Sequence, residues 1–171
     1  MRRLVIPFTT VLAAITLMMA APTANATSAK TLTFEVDLTS QGTTLHNLPG
    51  DIVYGWNHLA GSTTWGRRSA ELEFLGSVNY VDGNGPFGGM VTVTKSNGAQ
   101  LAFSVSGWAT SPANQKGTAN ARFTGSLEVI GGAGAYDGAT GTGTMSGYRK
   151  AALGSPVHLV FSVTVAQAPG K

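Results

Sequence analysis

The sequence predicts an all-β fold, a closed antiparallel barrel. Apolar side chains recur at every second position through most of the chain. Strong turn signals cut that pattern into short hairpins. From residue 27 onward, no stretch of ten or more residues carries a helical stripe. Seven to nine strands are expected. A closed barrel satisfies every strand edge and can hold a small cavity at its centre. A β-sandwich is the runner-up. Gly76, Gly107, Gly125 and Gly143 fall inside expected strands, where a barrel uses glycine for sharp coiling or close approach of a ligand.

Residues 1–26 read as an export signal. Arg2 and Arg3 form the positive end, an apolar run extends from Leu4 to Ala21, and Ala24-Asn25-Ala26 is a small-x-small cleavage site. The competing reading is one transmembrane helix. Pro7, the Thr9-Thr10 pair and the lack of a basic stop-transfer segment argue against it. Cleavage leaves residues 27–171, one domain of 145 residues, in a secreted, extracellular protein with no stable membrane insertion. Nine basic side chains then face eight acidic ones, and no basic run exceeds two residues, so nucleic acid is not an expected partner. The chain has no cysteine, which excludes disulfides and thiol catalysis. Packing, barrel closure, subunits or a bound ligand must hold it.

The strands follow in order. Leu32, Phe34, Val36 and Leu38 alternate with polar residues in a half-buried strand. Residues 40–69 are less regular, and read either as a strand pair or as a lid-like loop. Leu72, Phe74, Val78 and Tyr80 make the next apolar face, closed by Asp82-Gly83-Asn84-Gly85-Pro86. Met90 to Thr94 is a strand, turned back by Ser96-Asn97-Gly98 into the Leu101, Phe103 and Val105 face. Pro112 to Gly117 is a polar loop. A long alternation runs from Ala119 through Phe123 and Leu127 to Val129, then Thr142 to Tyr148 forms another strand. The last strand spans Val157 to Val165.

Between these last strands lies Gly131-Gly132-Ala133-Gly134-Ala135-Tyr136-Asp137-Gly138-Ala139-Thr140-Gly141. It has the look of a nucleotide loop, but such a loop needs a helix after it. Gly138, Gly141, Gly143 and Gly147 would each cost a helix about 1 kcal/mol. The stretch is therefore a tight turn between strands.

The turn resembles the Gly-Gly-Thr-Gly-aromatic-x-Gly-Ala-x-Gly pattern of the allene oxide cyclase and dirigent-protein barrel superfamily. Gly131, Gly132, Gly134, Gly138 and Gly141 match it, Tyr136 takes the aromatic place, and Ala133 stands where Thr is commoner. Phe123 to Ile130 also resembles the family's approach to this turn. The resemblance implies a calycin-like or dirigent-like barrel of eight antiparallel strands with a central cavity, here in a secreted bacterial member. It implies a small-molecule cyclase or isomerase acting on a hydrophobic substrate, without a cofactor. Plant members form dimers or trimers, so it also implies a homodimer or homotrimer. The rival is a secreted, lipocalin-like binding protein for a hydrophobic ligand. The glycines are read as structural, and no catalytic set transfers from the plant enzymes.

Candidate site residues depend on which strand face points inward. Leu72, Phe74, Tyr80, Leu101, Phe103, Phe123, Leu127, Leu159 and Phe161 form the large apolar set, which a small barrel turns inward. Phe74, Phe103, Trp108, Phe123, Tyr136 and Phe161 are then the candidate ligand contacts. Tyr80 and Tyr148 are candidate donors to a carbonyl or epoxide oxygen. Glu73 is a candidate proton acceptor and Arg122 a candidate charge stabiliser, paired if the register allows. The bland alternatives are surface charges for Glu73 and Arg122, cross-strand packing for the tyrosines, and a barrel-end plug for Tyr136. Asp137 reads as a turn residue. If the apolar set instead faced another subunit, Glu73, Asn79, Trp108, Arg122, Glu128 and His158 would line the cavity. His46 and His158 make no zinc signature, Asp82-Gly83-Asn84-Gly85 is no calcium loop, and no Gly-x-Ser-x-Gly elbow exists. No metal is expected.

Overall fold

A computed structural model of the chain describes residues 29–112, 120–151 and 154–167. The export signal and most of the loop expected at 112–117 lie outside the described residues. Eight strands follow one another: β1 (Ala29–Leu48), β2 (Ile52–Trp65), β3 (Arg68–Val81), β4 (Gly85–Lys95), β5 (Gln100–Thr110), β6 (Arg122–Ala133), β7 (Thr140–Tyr148) and β8 (Val157–Ala166). Each pairs antiparallel with the next, and β8 returns to β1, so one sheet closes into a barrel. The eight-stranded barrel is thus the fold, and the sandwich is not.

Period two decides which face is inside. On β3, Leu72, Phe74 and Tyr80 are buried, whereas Glu71, Glu73 and Leu75 are exposed. Leu101, Phe103, Leu159, Phe161 and Val163 reach 0 or 1% exposure and fill the middle of the barrel. Each such side chain contributes about 1.5–3 kcal/mol by leaving water. The inverted phase, with the charged set inside, is excluded. Glycine at position 107 has a packing reason. Its cross-strand partner is Phe87, whose ring covers the place a Cβ would occupy.

Residues 40–69 form the upper half of β1, all of β2 and the first two residues of β3. β1 pairs with β8 only from Ala29 to Leu38, then shifts register between Ser40 and Gly42 and pairs with β2 from Thr39 to Leu48. This upper hairpin outruns the barrel wall. Above Leu38, the β1 edge facing β8 has no strand partner among the described residues. With little core to face, its residues are mostly exposed, and the alternation fades.

The lower end is sealed. Phe34 stacks on Phe161 at 5.1 Å, and Trp65 stacks on Tyr136 at 5.2 Å. Lys95 Nζ lies 4.5 Å from the Trp65 ring centroid and donates to Tyr136 Oη at 2.9 Å. Tyr136 comes from a single 3-10 turn, Gly134–Tyr136, between β6 and β7. Gly134 and Gly138 take left-handed φ values of 62° and 67° there. A Cβ on Gly132 would strike the Tyr136 backbone. The glycine stretch is therefore a turn that aims an aromatic plug into the barrel.

Candidate functional site

The expected cavity is confined to the upper end, above the packed middle. It measures about 50 Å³. Phe74, Tyr80, Phe87, Phe123, Met145 and Leu159 contribute its walls, all from inward positions of β3, β4, β6, β7 and β8. Leu45, Asn57 and Leu59 of the upper hairpin line it from the β1–β2 side. Phe87 and Phe123 meet edge to face at 5.8 Å.

Besides Asn57 and Ser77, two buried polar side chains border this mostly apolar chamber. Tyr80 is 3% exposed and Arg149 is 4% exposed, which makes Arg149 the one buried charged residue among the described residues. Arg149 follows Met145 and Gly147 on the inward phase of β7, one residue past the strand end. Its backbone N–H donates to the Ala121 carbonyl at 2.9 Å, and its Nε donates to the Ala151 carbonyl at 3.1 Å. The guanidinium carbon lies 5.7 Å from the Phe123 ring centroid. The backbone of two strand ends and one ring thus fix the cation at the chamber mouth.

Burial pushes the Tyr80 phenol up to about 12, against a smaller downward pull from Arg149. Tyr80 is therefore a neutral hydrogen-bond donor at ordinary pH, and a poor base. Burial lowers the Arg149 pKa, and Tyr80 partly opposes that. An arginine starts so high that it stays protonated. The pair offers one neutral donor and one fixed positive charge in a low-dielectric pocket.

Of the residues expected to do chemistry, Tyr80 alone lines the chamber. Glu73, Arg122 and Trp108 are exposed on the outer wall, and Tyr148 is half-buried on the same face. The Glu73–Arg122 pair is not formed. These residues sit on β3 and β6, which are not neighbours. Glu73 Oε1 lies 3.5 Å from His58 Nε2 instead, and Arg122 packs over Tyr148. Among the expected ligand contacts, Phe74 and Phe123 line the chamber. Phe103 lies in the packed middle and Phe161 joins that middle to the lower plug by stacking on Phe34, both with no exposed surface, and Tyr136 belongs to the plug. Gly131 has open space around a would-be Cβ, whereas one on Gly141 would meet the Thr164 carbonyl across the β7–β8 ladder. Arg149 was not anticipated. Its signal was its place two residues beyond Gly147, on the phase of Met145.

The outer wall around Tyr148 carries a second feature. Arg122, Tyr148, His158 and Asp37 are consecutive cross-strand partners on β6, β7, β8 and β1. The Arg122 guanidinium lies 5.6 Å and the Lys150 ammonium 5.2 Å from the Tyr148 ring centroid. His158 packs on Tyr148 at 5.0 Å and pairs its Nδ1 with Asp37 at 2.9 Å. Asn120, Arg122, Tyr148, Arg149 and Lys150 line an outer cleft of about 430 Å³.

No protein-family model matches the chain, and no curated protein does either. Among solved structures, the pterocarpan synthase dirigent protein GePTS1 superposes at a TM-score of 0.46 with 15% identity. The match covers 91% of this chain and all of that one.

Proposed function

We propose that the barrel binds a small hydrophobic molecule in its upper chamber and holds one oxygen of that molecule with Tyr80 and Arg149. The observation that carries this reading is a buried arginine beside a buried phenol in a mostly apolar pocket. A buried charge costs several kcal/mol unless it is compensated. Here the Ala151 carbonyl and the Phe123 ring offset part of that cost and hold the cation on the chamber wall, where it can face a bound oxygen.

The finer reading is an isomerase or cyclase. Arg149 would stabilise negative charge developing on a carbonyl or epoxide oxygen, and Tyr80 would donate a hydrogen bond to the same atom. The walls would hold the reacting ends of the substrate together, which contributes up to about 7–11 kcal/mol in ideal intramolecular cases. Among the described residues, no carboxylate or imidazole lines the chamber. Reactions that need a protein base at the substrate are therefore disfavoured, and ring closure driven by shape and charge stabilisation fits better. The same observation favours the second reading, a non-catalytic binding barrel.

Size limits either reading. A cavity of about 150 Å³ is known to admit benzene, and this chamber is about a third of that. A larger substrate enters only if the upper hairpin shifts, and Leu45 and Leu59 are the contacts it must release.

Untargeted mass spectrometry of molecules retained by the purified protein tests the binding reading. Retention by the native chain and loss in Arg149→Met and Tyr80→Phe is the expected result. Equal retention by all three proteins overturns it. Turnover of a retained molecule into an isomer of identical mass, lost with Arg149→Met, separates the enzyme from the carrier.

A further inference from the structure

Arg149 lines both the apolar chamber and the outer polar cleft. The two spaces meet at one buried cation. The outer space is about 430 Å³ and lined by Asn120, Arg122, Tyr148 and Lys150 besides Arg149, while the inner one is about 50 Å³. The roomier part is thus cationic, and the apolar part is the smaller. Arg122 and Lys150 both pack against Tyr148, which holds two positive charges beside one ring. The nearest acid in their cross-strand row, Asp37, is three strands from Arg122, roughly 14 Å at ordinary strand spacing. It is already held by His158.

We propose that the ligand is an amphiphile with an oxyanion head and a short apolar tail, the head seated between Arg122 and Lys150 and the tail passing Arg149 into the chamber. This rests on the chamber being a binding site. Arg149 then serves both halves. Its charge faces the head, and its position beside Phe123 closes the mouth around the tail. A carboxylate, sulfate or phosphate supplies the head chemistry, since each accepts hydrogen bonds from guanidinium and ammonium groups. Scaled from the benzene comparison, about two terminal carbons of the tail fit the chamber while the upper hairpin stays in place, and the rest lies in the outer cleft.

The test is a set of NMR titrations of the folded protein with probes sharing one butyl tail: 1-butanol, pentanoate, butyl sulfate and butyl phosphate, with inorganic phosphate as the head alone. The expected result is that one or more anionic members bind about tenfold or more tightly than butanol. That margin shrinks as salt rises, and the Arg122→Gln/Lys150→Gln double variant abolishes it without changing butanol binding. Val78→Phe, which fills the chamber from β3, should weaken every probe that has a tail. Three results overturn the proposal. Butanol binding as tightly as the anions, with both blocked by Val78→Phe, leaves the chamber reading intact and removes the head site. Inorganic phosphate binding as tightly as butyl phosphate makes the cleft an independent anion site. Probes unaffected by Val78→Phe, or no binding by any probe, remove the chamber reading and this proposal together.

Discussion

The two ends of the barrel are built from the same alternating strands and finish differently. At the lower end, Phe34, Trp65, Tyr136 and Phe161 stack into a plug, and Lys95 caps it from the polar side. At the upper end, Leu45, Leu59, Phe74, Phe123 and Leu159 leave a chamber between them, and Arg149 and Tyr80 occupy its polar side. Both ends pair aromatic rings with a cation. Below, the Lys95 ammonium sits half-buried beside the plug. Above, the cation is enclosed. A half-buried ammonium over a ring adds stability of about 1 kcal/mol, whereas an enclosed guanidinium must first offset the loss of water through contacts such as the Ala151 carbonyl. The lower end is closed by its rings, and the upper end leaves a chamber bordered by a cation.

Four measurements sharpen or break this contrast. The largest expected effect is Phe161→Ala at the plug, a loss of about 3–5 kcal/mol in denaturant unfolding. A loss below 1 kcal/mol would mean that the lower end does not carry the fold. Next is the alkaline limit. Folded Tyr80 keeps its proton until about pH 12, while an unfolded tyrosine releases it near pH 10. Between those values the unfolded chain binds fewer protons, so stability is complete below about pH 10 and falls as pH rises through 12. The total loss is about 2–3 kcal/mol. Tyr80→Phe should flatten that fall, and an unchanged alkaline profile would place the phenol in contact with water.

Arg149→Met should lower stability by about 1 kcal/mol, because it leaves the Ala151 carbonyl unpaired, while ligand retention disappears. A large destabilisation instead would make Arg149 a structural tie between β6 and the chain after β7. The smallest expected effect is Leu45→Ala on the upper hairpin. Leu45 is half-buried on a strand with one partner at that level, so the cost should stay under about 1 kcal/mol. The gain should be a wider chamber, read as tighter binding of longer-tailed probes. A cost like that of Phe161→Ala would erase the difference between the two ends.

Much of the barrel was legible because period two is a local property. Leu72, Phe74 and Tyr80 can face only one way once Glu71 and Glu73 face the other, and the same holds for Leu159 and Phe161 against His158. Turn glycines were legible for a similar reason, since glycine is the residue that accepts the left-handed φ found at Gly134 and Gly138 without a Cβ clash. The upper hairpin was not legible. Its outer edge has no strand beside it and little core beneath it, so selection for alternation is weak from Gln41 to Leu48. The Glu73–Arg122 pairing failed because strand neighbours depend on how many strands intervene, which neither residue records.

Sequence alone determined that these strands would bury Phe74, Tyr80, Phe103, Phe123 and Phe161 on one face, because side-chain direction alternates along any extended chain. Tertiary structure decided which of those rings touch each other and which border empty space. That depends on where closed strands taper, end and overrun one another, as β1 does above Leu38. It also decided that Arg149, one step past the end of β7, lies inside rather than in water. A charge can be held there only after the neighbouring strand ends have assembled around it.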